Sequence, residues 1–222
     1  VNSPIWFKVG VTGPIASGKT LICDIMARHP GVEVIDVNQI ARDMLAVNSP
    51  IYLEVVKMFH EKPRRILLND GSIDRFILAW TVFHTDRNRE AMNKLCFPYL
   101  EKEVDDLLEK STAGIVMVKA SILHFAEWDN KFDEIWTPLT NVEEQFRRIV
   151  ERGYPGPLAK IMCRLEVPES IRLKRADLAF YTAGNGKMCE TKVLKHVPRL
   201  QSYLDAWHAK QETKTESDQV QQ

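Results

Sequence analysis

The chain has 222 residues, of which 30 are basic and 30 acidic, so its formal net charge is zero. This length is enough for one well-packed core, and the balanced charge excludes a global field that would attract nucleic acid or an anionic membrane. No apolar run approaches the roughly 20 residues of a membrane span. The four cysteines show no metal-binding or C-x-x-C spacing, which is typical of reduced thiols. We therefore predict a cytoplasmic protein without nucleic-acid or membrane partners.

The most specific signal follows the first predicted strand, residues 5–11. Residues 13–20 read Gly-Pro-Ile-Ala-Ser-Gly-Lys-Thr and fit G-x-x-x-x-G-K-S/T, and residues 21–28 have helical spacing. A loop between a strand and a helix N-terminus presents backbone N–H groups and the helix dipole to an anion. We predict a nucleotide site in which Lys19 reaches the phosphates and the Thr20 hydroxyl binds Mg²⁺. The alternative is a glycine-rich turn that binds nothing.

Asp36 follows the second predicted strand, residues 32–35, and precedes a helix predicted for residues 38–47. At the carboxyl edge of a parallel sheet, its carboxylate would accept a proton from a substrate hydroxyl or help to hold the metal. Asp is also a favoured helix N-cap residue, and the sequence leaves these roles equally open. Arg42, six residues later, either points to a substrate phosphate or solvates its helix.

The remaining elements continue an alternation of strands and helices. Further strands are predicted at residues 115–118, 132–136 and 179–181, and further helices at residues 51–59, 75–82, 86–110, 142–152 and 193–210, with a break or kink at Pro98 and at Pro198. This order predicts an α/β three-layer sandwich with a mainly parallel sheet. One domain over residues 1–210 would contain a helical substrate-side insertion at about residues 45–112 and a lid at about residues 145–172. Residues 211–222 are predicted to be a disordered tail.

A cluster of arginines lies on the helix predicted within the lid. Arg148 and Arg152 are four residues apart and share one helical face. Together with Arg147 they resemble a phosphate clamp, in which guanidinium groups stabilise charge on a transferred phosphoryl group. The alternative is a solvated basic face that pairs with neighbouring glutamates. The phosphate-binding loop earlier in the chain favours the clamp.

The order of these motifs resembles that of the dephospho-CoA kinase family from about residue 9 to about residue 197. After the loop come Ile-Asp-x-x-x-x-Ala-Arg at residues 35–42, Asp-Gly-Ser-Ile-Asp-Arg at 70–75, Val-Phe at 82–83, the proline of the family's His-Pro pair at 98, Gln-x-x-Arg-x-x-x-Arg at 145–152 and Ala-Asp at 176–177. Each motif alone is weak. Their colinear order at family-like spacing is specific.

This resemblance implies a P-loop kinase-like fold and the phosphorylation, by ATP with Mg²⁺, of the ribose 3′-hydroxyl of dephospho-CoA to give coenzyme A and ADP. It implies that Asp36 is the base at the acceptor hydroxyl and that Lys19 and Arg148 are also catalytic. Arg42 and Arg75 match acceptor-side residues, although Arg75 also has a structural interpretation. The residues implied to bind ATP and its phosphates are Gly13, Pro14, Ile15, Ala16, Ser17, Gly18, Lys19, Thr20, Arg148, Arg152 and Gly184.

Several positions depart from the family pattern. They are Asn38 for a second Asp, Phe97 for the His of the His-Pro pair, residues 119–125 for Pro-Leu-Leu-Phe-Glu, Glu166 for a Gln, Arg172 for a Lys and Thr182 for an Asn. We interpret these changes as changed acceptor and adenine contacts. One alternative is therefore a kinase for another nucleoside, nucleotide or small alcohol. A second is a nucleotide-binding regulatory protein without catalysis, which the intact phosphate and base residues disfavour.

Overall fold

The computed structural model describes residues 7–60, 65–184 and 186–220. Its strands are β1 (Phe7–Val11), β2 (Val32–Asp36), β3 (Ile115–Lys119), β4 (Glu134–Leu139) and β5 (Leu178–Tyr181). They form an all-parallel sheet in the order β2-β3-β1-β4-β5. The chain thus builds the sheet outward from β1 in both directions, and ligands of open α/β sheets bind at such a switch point. The predicted α/β fold is confirmed. Ile5 and Trp6, which belong to the first predicted strand, lie outside the described residues.

Ten helices are found in the described part of the chain. They are α1 (Lys19–Met26), α2 (Val37–Asp43), α3 (Tyr52–Phe59), α4 (Arg75–Phe83), α5 (Asp86–Lys110), α6 (Val142–Glu151), α7 (Gly156–Arg164), α8 (Glu169–Arg175), α9 (Gly186–Leu194) and α10 (Val197–Val220). The sequence analysis did not predict α7 and α8. Both are short, and each begins directly after a proline, which hides their helical periodicity among turn signals.

The two prolines that were expected to disturb helices behave differently. Pro98 lies inside α5, which continues through it without a break. Pro198 is the second residue of α10, where its missing N–H is not needed by the helix. The helix predicted for residues 193–210 is divided, because α9 ends at Leu194 and α10 begins at Val197. The backbone of α10 extends to Val220, whereas the sequence predicted disorder from residue 211. The Gln, Glu and Lys residues of this segment have good helix propensity.

The chain divides into two compact units. The first comprises residues 1–35, 107–141 and 167–222 and is built on the sheet. Every residue of β3 is buried, as expected for a parallel strand covered on both faces. Val11, Ile22 and Trp136 are each 0% exposed in the core of this unit. Its hydrophobic core therefore lies directly against β1, the strand that precedes the phosphate loop.

The second unit comprises residues 36–106 and 142–166. It is helical and has its own core, in which Val55 and Phe59 of α3 pack with Ile66 and Leu78. The segments predicted as insertion and lid fall mainly within this unit, but α8 at the end of the predicted lid belongs to the first.

None of the helices in the described residues combines the length and hydropathy needed to cross a bilayer.

The close packing around β1 yields a stability prediction for Gly10. A Cβ added at Gly10 would lie 2.7 Å from Leu123 Cδ1 and 2.8 Å from both Ile135 Cδ1 and Phe132 Cδ2. Because three side chains would have to move, we expect Gly10→Ala to lower the free energy of unfolding by about 1–3 kcal/mol. Urea denaturation monitored by circular dichroism measures this change.

Gly156→Ala is the matched control. The nearest atom to a Cβ at Gly156 would be Phe146 Cζ at 3.9 Å, an ordinary van der Waals contact. Since alanine also has the higher helix propensity, this variant should be as stable as the wild type or more so. Equal stability of Gly10→Ala and the wild type would contradict the packing argument.

Candidate active site

The phosphate loop joins β1 to α1, as its motif predicts. Ala16 and Gly18 have positive φ values of 61° and 102°, and Gly18 is the N-cap of α1. Left-handed backbone is least costly at glycine, and a Cβ at Gly18 would also lie 2.8 Å from Thr182 Cβ. Position 18 therefore has both a conformational and a steric reason to be glycine. The turn it completes presents backbone N–H groups at the helix N-terminus, the arrangement that binds anions.

Lys19 lies across this loop. Its side chain is buried, and its ammonium donates hydrogen bonds to the carbonyl oxygens of Gly13 at 2.8 Å and Pro14 at 2.7 Å. Each N–H of an ammonium can bond to any suitably placed oxygen. A phosphate oxygen can therefore replace one of these carbonyls as an acceptor. The loop thus carries a positive charge in a site of low solvent exposure, where electrostatic attraction to an anion is strong.

The Thr20 hydroxyl follows Lys19 at the start of α1. It accepts a hydrogen bond of 3.1 Å from the ammonium of Lys119, the last residue of β3. A hydroxyl oxygen has two lone pairs and is a suitable ligand for Mg²⁺, which favours oxygen and retains water and phosphate ligands. The described residues contain no group of three or more His, Cys, Asp or Glu side chains suited to hold a metal.

Thr182 anchors the loop to the sheet. Its hydroxyl donates to the carbonyl oxygen of Ser17, and it also lies 3.0 Å from the carbonyl oxygen of Leu139 at the end of β4. We expected changed acceptor or adenine contacts at this position, and the structure instead places it against the phosphate loop. The sequence offered no local signal for this role, because residues 17 and 182 are 165 positions apart. Gly184, two residues later, has φ of 79°, and no described residue beyond its chain neighbours lies within 4 Å of where its Cβ would be.

Asp36 is the last residue of β2 and the N-cap of α2. Its Oδ1 accepts a hydrogen bond of 3.0 Å from the backbone N–H of Asn38. The capping role is therefore confirmed, while the role of general base stays a prediction. Arg42, also on α2, is exposed. Its Nε donates to Gln39 Oε1 at 3.1 Å, a contact on the solvent-facing surface of the helix. Arg75 is the exposed first residue of α4.

The arginines of α6 pair with glutamates in the second unit. Arg148 Nε donates to Glu144 Oε1 at 2.9 Å, and Arg147 bonds to Glu144 and Glu151. The hydrogen bond from Arg147 is the largest of the interactions that lower the pKa of Glu144. Arg152 lies one residue beyond the end of α6 and is exposed, although the sequence placed it on the helix. The glutamate pairing that we considered as an alternative is thus present.

Comparisons with known proteins establish the family. Residues 7–185 match the sequence profile described as dephospho-CoA kinase. The chain belongs to the dephospho-CoA kinase family. It is 30% identical over 204 residues to the dephospho-CoA kinase of Moorella thermoacetica, covering 89% of this chain and 94% of that protein.

Two solved structures show the same fold. The dephospho-CoA kinase of Campylobacter jejuni is 20% identical with a TM-score of 0.54, and covers 88% of this chain and 98% of its own. A Thermus thermophilus protein, TT1252, is 22% identical with a TM-score of 0.70, and covers 87% of this chain and 97% of its own. The resemblance that the motif order implied is therefore confirmed.

His124 lies in the segment that departs from the family pattern at residues 119–125. Its ring is buried, and its Nδ1 lies 2.7 Å from Asp129 Oδ1. The other carboxylate oxygen of Asp129 lies 3.5 Å from the guanidinium of Arg175. A carboxylate can only accept, so Nδ1 carries the proton and donates to Asp129. Burial lowers the pKa of His124, and the attraction of Asp129 opposes that shift. Position 124 thus holds a buried histidine with a lowered pKa inside the first unit.

This histidine predicts how stability depends on pH. Because the pKa of His124 is lower in the folded chain, the unfolded chain binds more protons as the pH falls, and stability is lost in that direction. We expect His124→Gln to flatten the dependence of the unfolding free energy on pH between about 5 and 7. Urea denaturation across this range tests it. His208→Gln, at an exposed position on α10, should keep the wild-type slope. An unchanged slope in His124→Gln would disprove the assignment.

Thr182 predicts a change in nucleotide affinity. Thr182→Val preserves the shape of the side chain but leaves the Ser17 carbonyl without this donor, so we expect ATP to bind about tenfold more weakly, or about 1.4 kcal/mol. Isothermal titration calorimetry with ATP measures the effect. The control is Thr191→Val, which removes a threonine hydroxyl bonded to the Lys187 carbonyl within α9. If both variants bind ATP like the wild type, Thr182 does not position the loop.

Proposed function

We propose that this protein transfers the γ-phosphoryl group of ATP to the ribose 3′-hydroxyl of dephospho-CoA, forming coenzyme A and ADP. The observation that carries this proposal is the phosphate loop, folded between β1 and α1 with Lys19 buried across it. Membership of the dephospho-CoA kinase family over residues 7–185 supports the acceptor. The alternatives of another acceptor or of a protein without catalysis have no support from the relatives, which carry the same name across diverse species.

The loop residues 13–20 are proposed to bind the phosphates of ATP through backbone N–H groups and the Lys19 ammonium. Thr20 would hold Mg²⁺, which when bound neutralises charge between the β- and γ-phosphates. Gly184 would leave room near the adenine. In the described part of the chain, no atom beyond its chain neighbours lies within 4 Å of where a Cβ of Gly184 would be, which supports this role.

Arg148 and Arg152 are proposed to stabilise charge on the transferred phosphoryl group. Arg148 currently donates to the carboxylate of Glu144. A phosphate oxygen accepts from the same guanidinium fork, so Arg148 would exchange one anion for another without losing a charge-assisted hydrogen bond. Its pairing with Glu144 would hold the guanidinium in place until ATP binds. Arg42 and Arg75 are proposed to contact the acceptor.

Asp36 is proposed to accept the proton of the acceptor hydroxyl, which makes that oxygen the nucleophile for in-line attack on the γ-phosphorus. Its capping bond is compatible with this role. The bond to Asn38 is accepted by Oδ1, and an ionised carboxylate has about four acceptor positions over its two oxygens. The cap also orients the carboxylate, since it fixes one oxygen at the start of α2.

We place the protein in the cytoplasm. None of its four cysteines, Cys23, Cys96, Cys163 and Cys189, forms a disulfide bond, which is usual for proteins of reducing compartments.

The variant Asp36→Asn distinguishes the role of Asp36 as general base from its role as helix N-cap. Asparagine caps helices as well as aspartate does but does not take up a proton at neutral pH. We therefore expect kcat for phosphorylation of dephospho-CoA to fall by about 10²–10⁴-fold, while ATP affinity and the melting temperature stay near the wild-type values. ADP release with and without dephospho-CoA, with the mass of the product confirmed, gives the rate.

Asp74→Asn is the matched control, because Asp74 caps α4 in the same way through bonds from Phe76 and Ile77. It should retain the wild-type kcat. A wild-type rate in Asp36→Asn would exclude Asp36 as the base. ATP binding by the wild type without dephospho-CoA-dependent ADP release would exclude the proposed acceptor.

A further inference from the structure

A second lysine, Lys119, reaches the phosphate loop from the neighbouring strand. Residue 119 is paired in register with Val11, the last residue of β1 before the loop. The Lys119 side chain is only 8% exposed, and its ammonium donates to the Thr20 hydroxyl at 3.1 Å. The lysine is therefore held by the sheet rather than by a flexible surface segment.

The Thr20 hydroxyl is bonded to a positively charged side chain, whereas Mg²⁺ favours negatively charged neighbours. In P-loop enzymes this hydroxyl and an aspartate hold Mg²⁺ beside the nucleotide phosphates. Here the side chain bonded to the hydroxyl is a cation. An ammonium and Mg²⁺ at the same oxygen repel each other, while each attracts phosphate oxygens. The two cations would therefore compete for one region of the bound nucleotide.

A phosphate oxygen would be a stronger acceptor for Lys119 than the Thr20 hydroxyl is. Thr20 offers a neutral oxygen, and hydrogen bonds from an ammonium to a phosphate oxygen are shorter and stronger than those to neutral acceptors. Low exposure strengthens this attraction further, because less water screens the charge. Lys119 and Lys19 together place two ammonium groups on the loop, one bonded to its last residue and one to its first residues.

We propose that Lys119 is a phosphate-binding residue that neutralises part of the nucleotide charge at Thr20. It allows the chain to bind ATP without Mg²⁺, and it weakens the binding of Mg²⁺ to the nucleotide complex. The inference rests on the proposed function, since it requires ATP in the loop. It adds a positive charge that the protein itself supplies, close to where Mg²⁺ would bind.

The test is ATP binding to Lys119→Met, which removes the charge and keeps the length of the side chain. Calorimetric titration with ATP is carried out in EDTA and in excess Mg²⁺. In EDTA we expect the variant to bind ATP at least about tenfold more weakly than the wild type. In excess Mg²⁺ the difference should shrink, and the Mg²⁺ concentration that gives half of the affinity gain should be lower in the variant.

Two further variants serve as controls. Lys119→Arg keeps the charge and should retain ATP binding in EDTA, and Lys192→Met removes an exposed lysine on α9 and should change nothing. Equal affinity of the wild type and Lys119→Met in EDTA would overturn the inference and leave the proposed function intact. Failure of the wild type to bind ATP with and without Mg²⁺ would overturn both.

A measurement on the wild type keeps the test independent of whether Lys119→Met folds. ATP binding in EDTA within about tenfold of that in Mg²⁺ supports the inference. Complete loss of ATP binding in EDTA contradicts it.

Discussion

The pairing of β1 with a strand on each side is the constraint on which the phosphate site depends. Val11, the last residue of β1, is in register with Lys119 of β3 and with Trp136 of β4. The ladder ends with two bonds of 3.0 Å, one from the N–H of Thr12 to the Trp136 carbonyl and one from the N–H of Ala120 to the Val11 carbonyl. After Thr12 the chain leaves the sheet and turns, with the N–H of Ser17 donating to the Pro14 carbonyl at 3.2 Å. A buried strand thus delivers the phosphate loop to the N-terminus of α1, where backbone N–H groups can face an anion.

The charge of this site is local. Acidic and basic residues balance over the whole chain, so no net field attracts a nucleotide from a distance. Attraction instead comes from the N-terminus of α1 and from two lysines of low exposure, Lys19 and Lys119. Cations in such surroundings interact with phosphate more strongly than surface lysines do, because water screens them less. Selectivity for a polyphosphate can therefore arise without a basic surface.

Two residues that depart from the family pattern lie at the same site in the structure. Lys119 and Thr182 come from segments far apart in the chain, and both contact the phosphate loop. One bonds to a side chain that would bind the metal, and the other bonds to the backbone that shapes the turn. Changes that appeared to concern the acceptor and the adenine thus alter how the loop is supported. In the second unit, the arginines of α6 are paired with glutamates of the same helix, Arg148 with Glu144 and Arg147 with Glu144 and Glu151.

The sequence by itself determined the phosphate loop, the alternation of strands and helices, the long α5 helix and the family. These features follow from the spacing, the periodicity and the order of motifs, which are patterns of residues close together in the chain. It also identified Asp36 but left its cap and base roles open, because both depend on what faces the carboxylate. Only the tertiary structure decided that Lys119 bonds to Thr20 and Thr182 to Ser17. Those partners are 99 and 165 residues apart, and the order of strands in the sheet, which no local pattern specifies, brings them together.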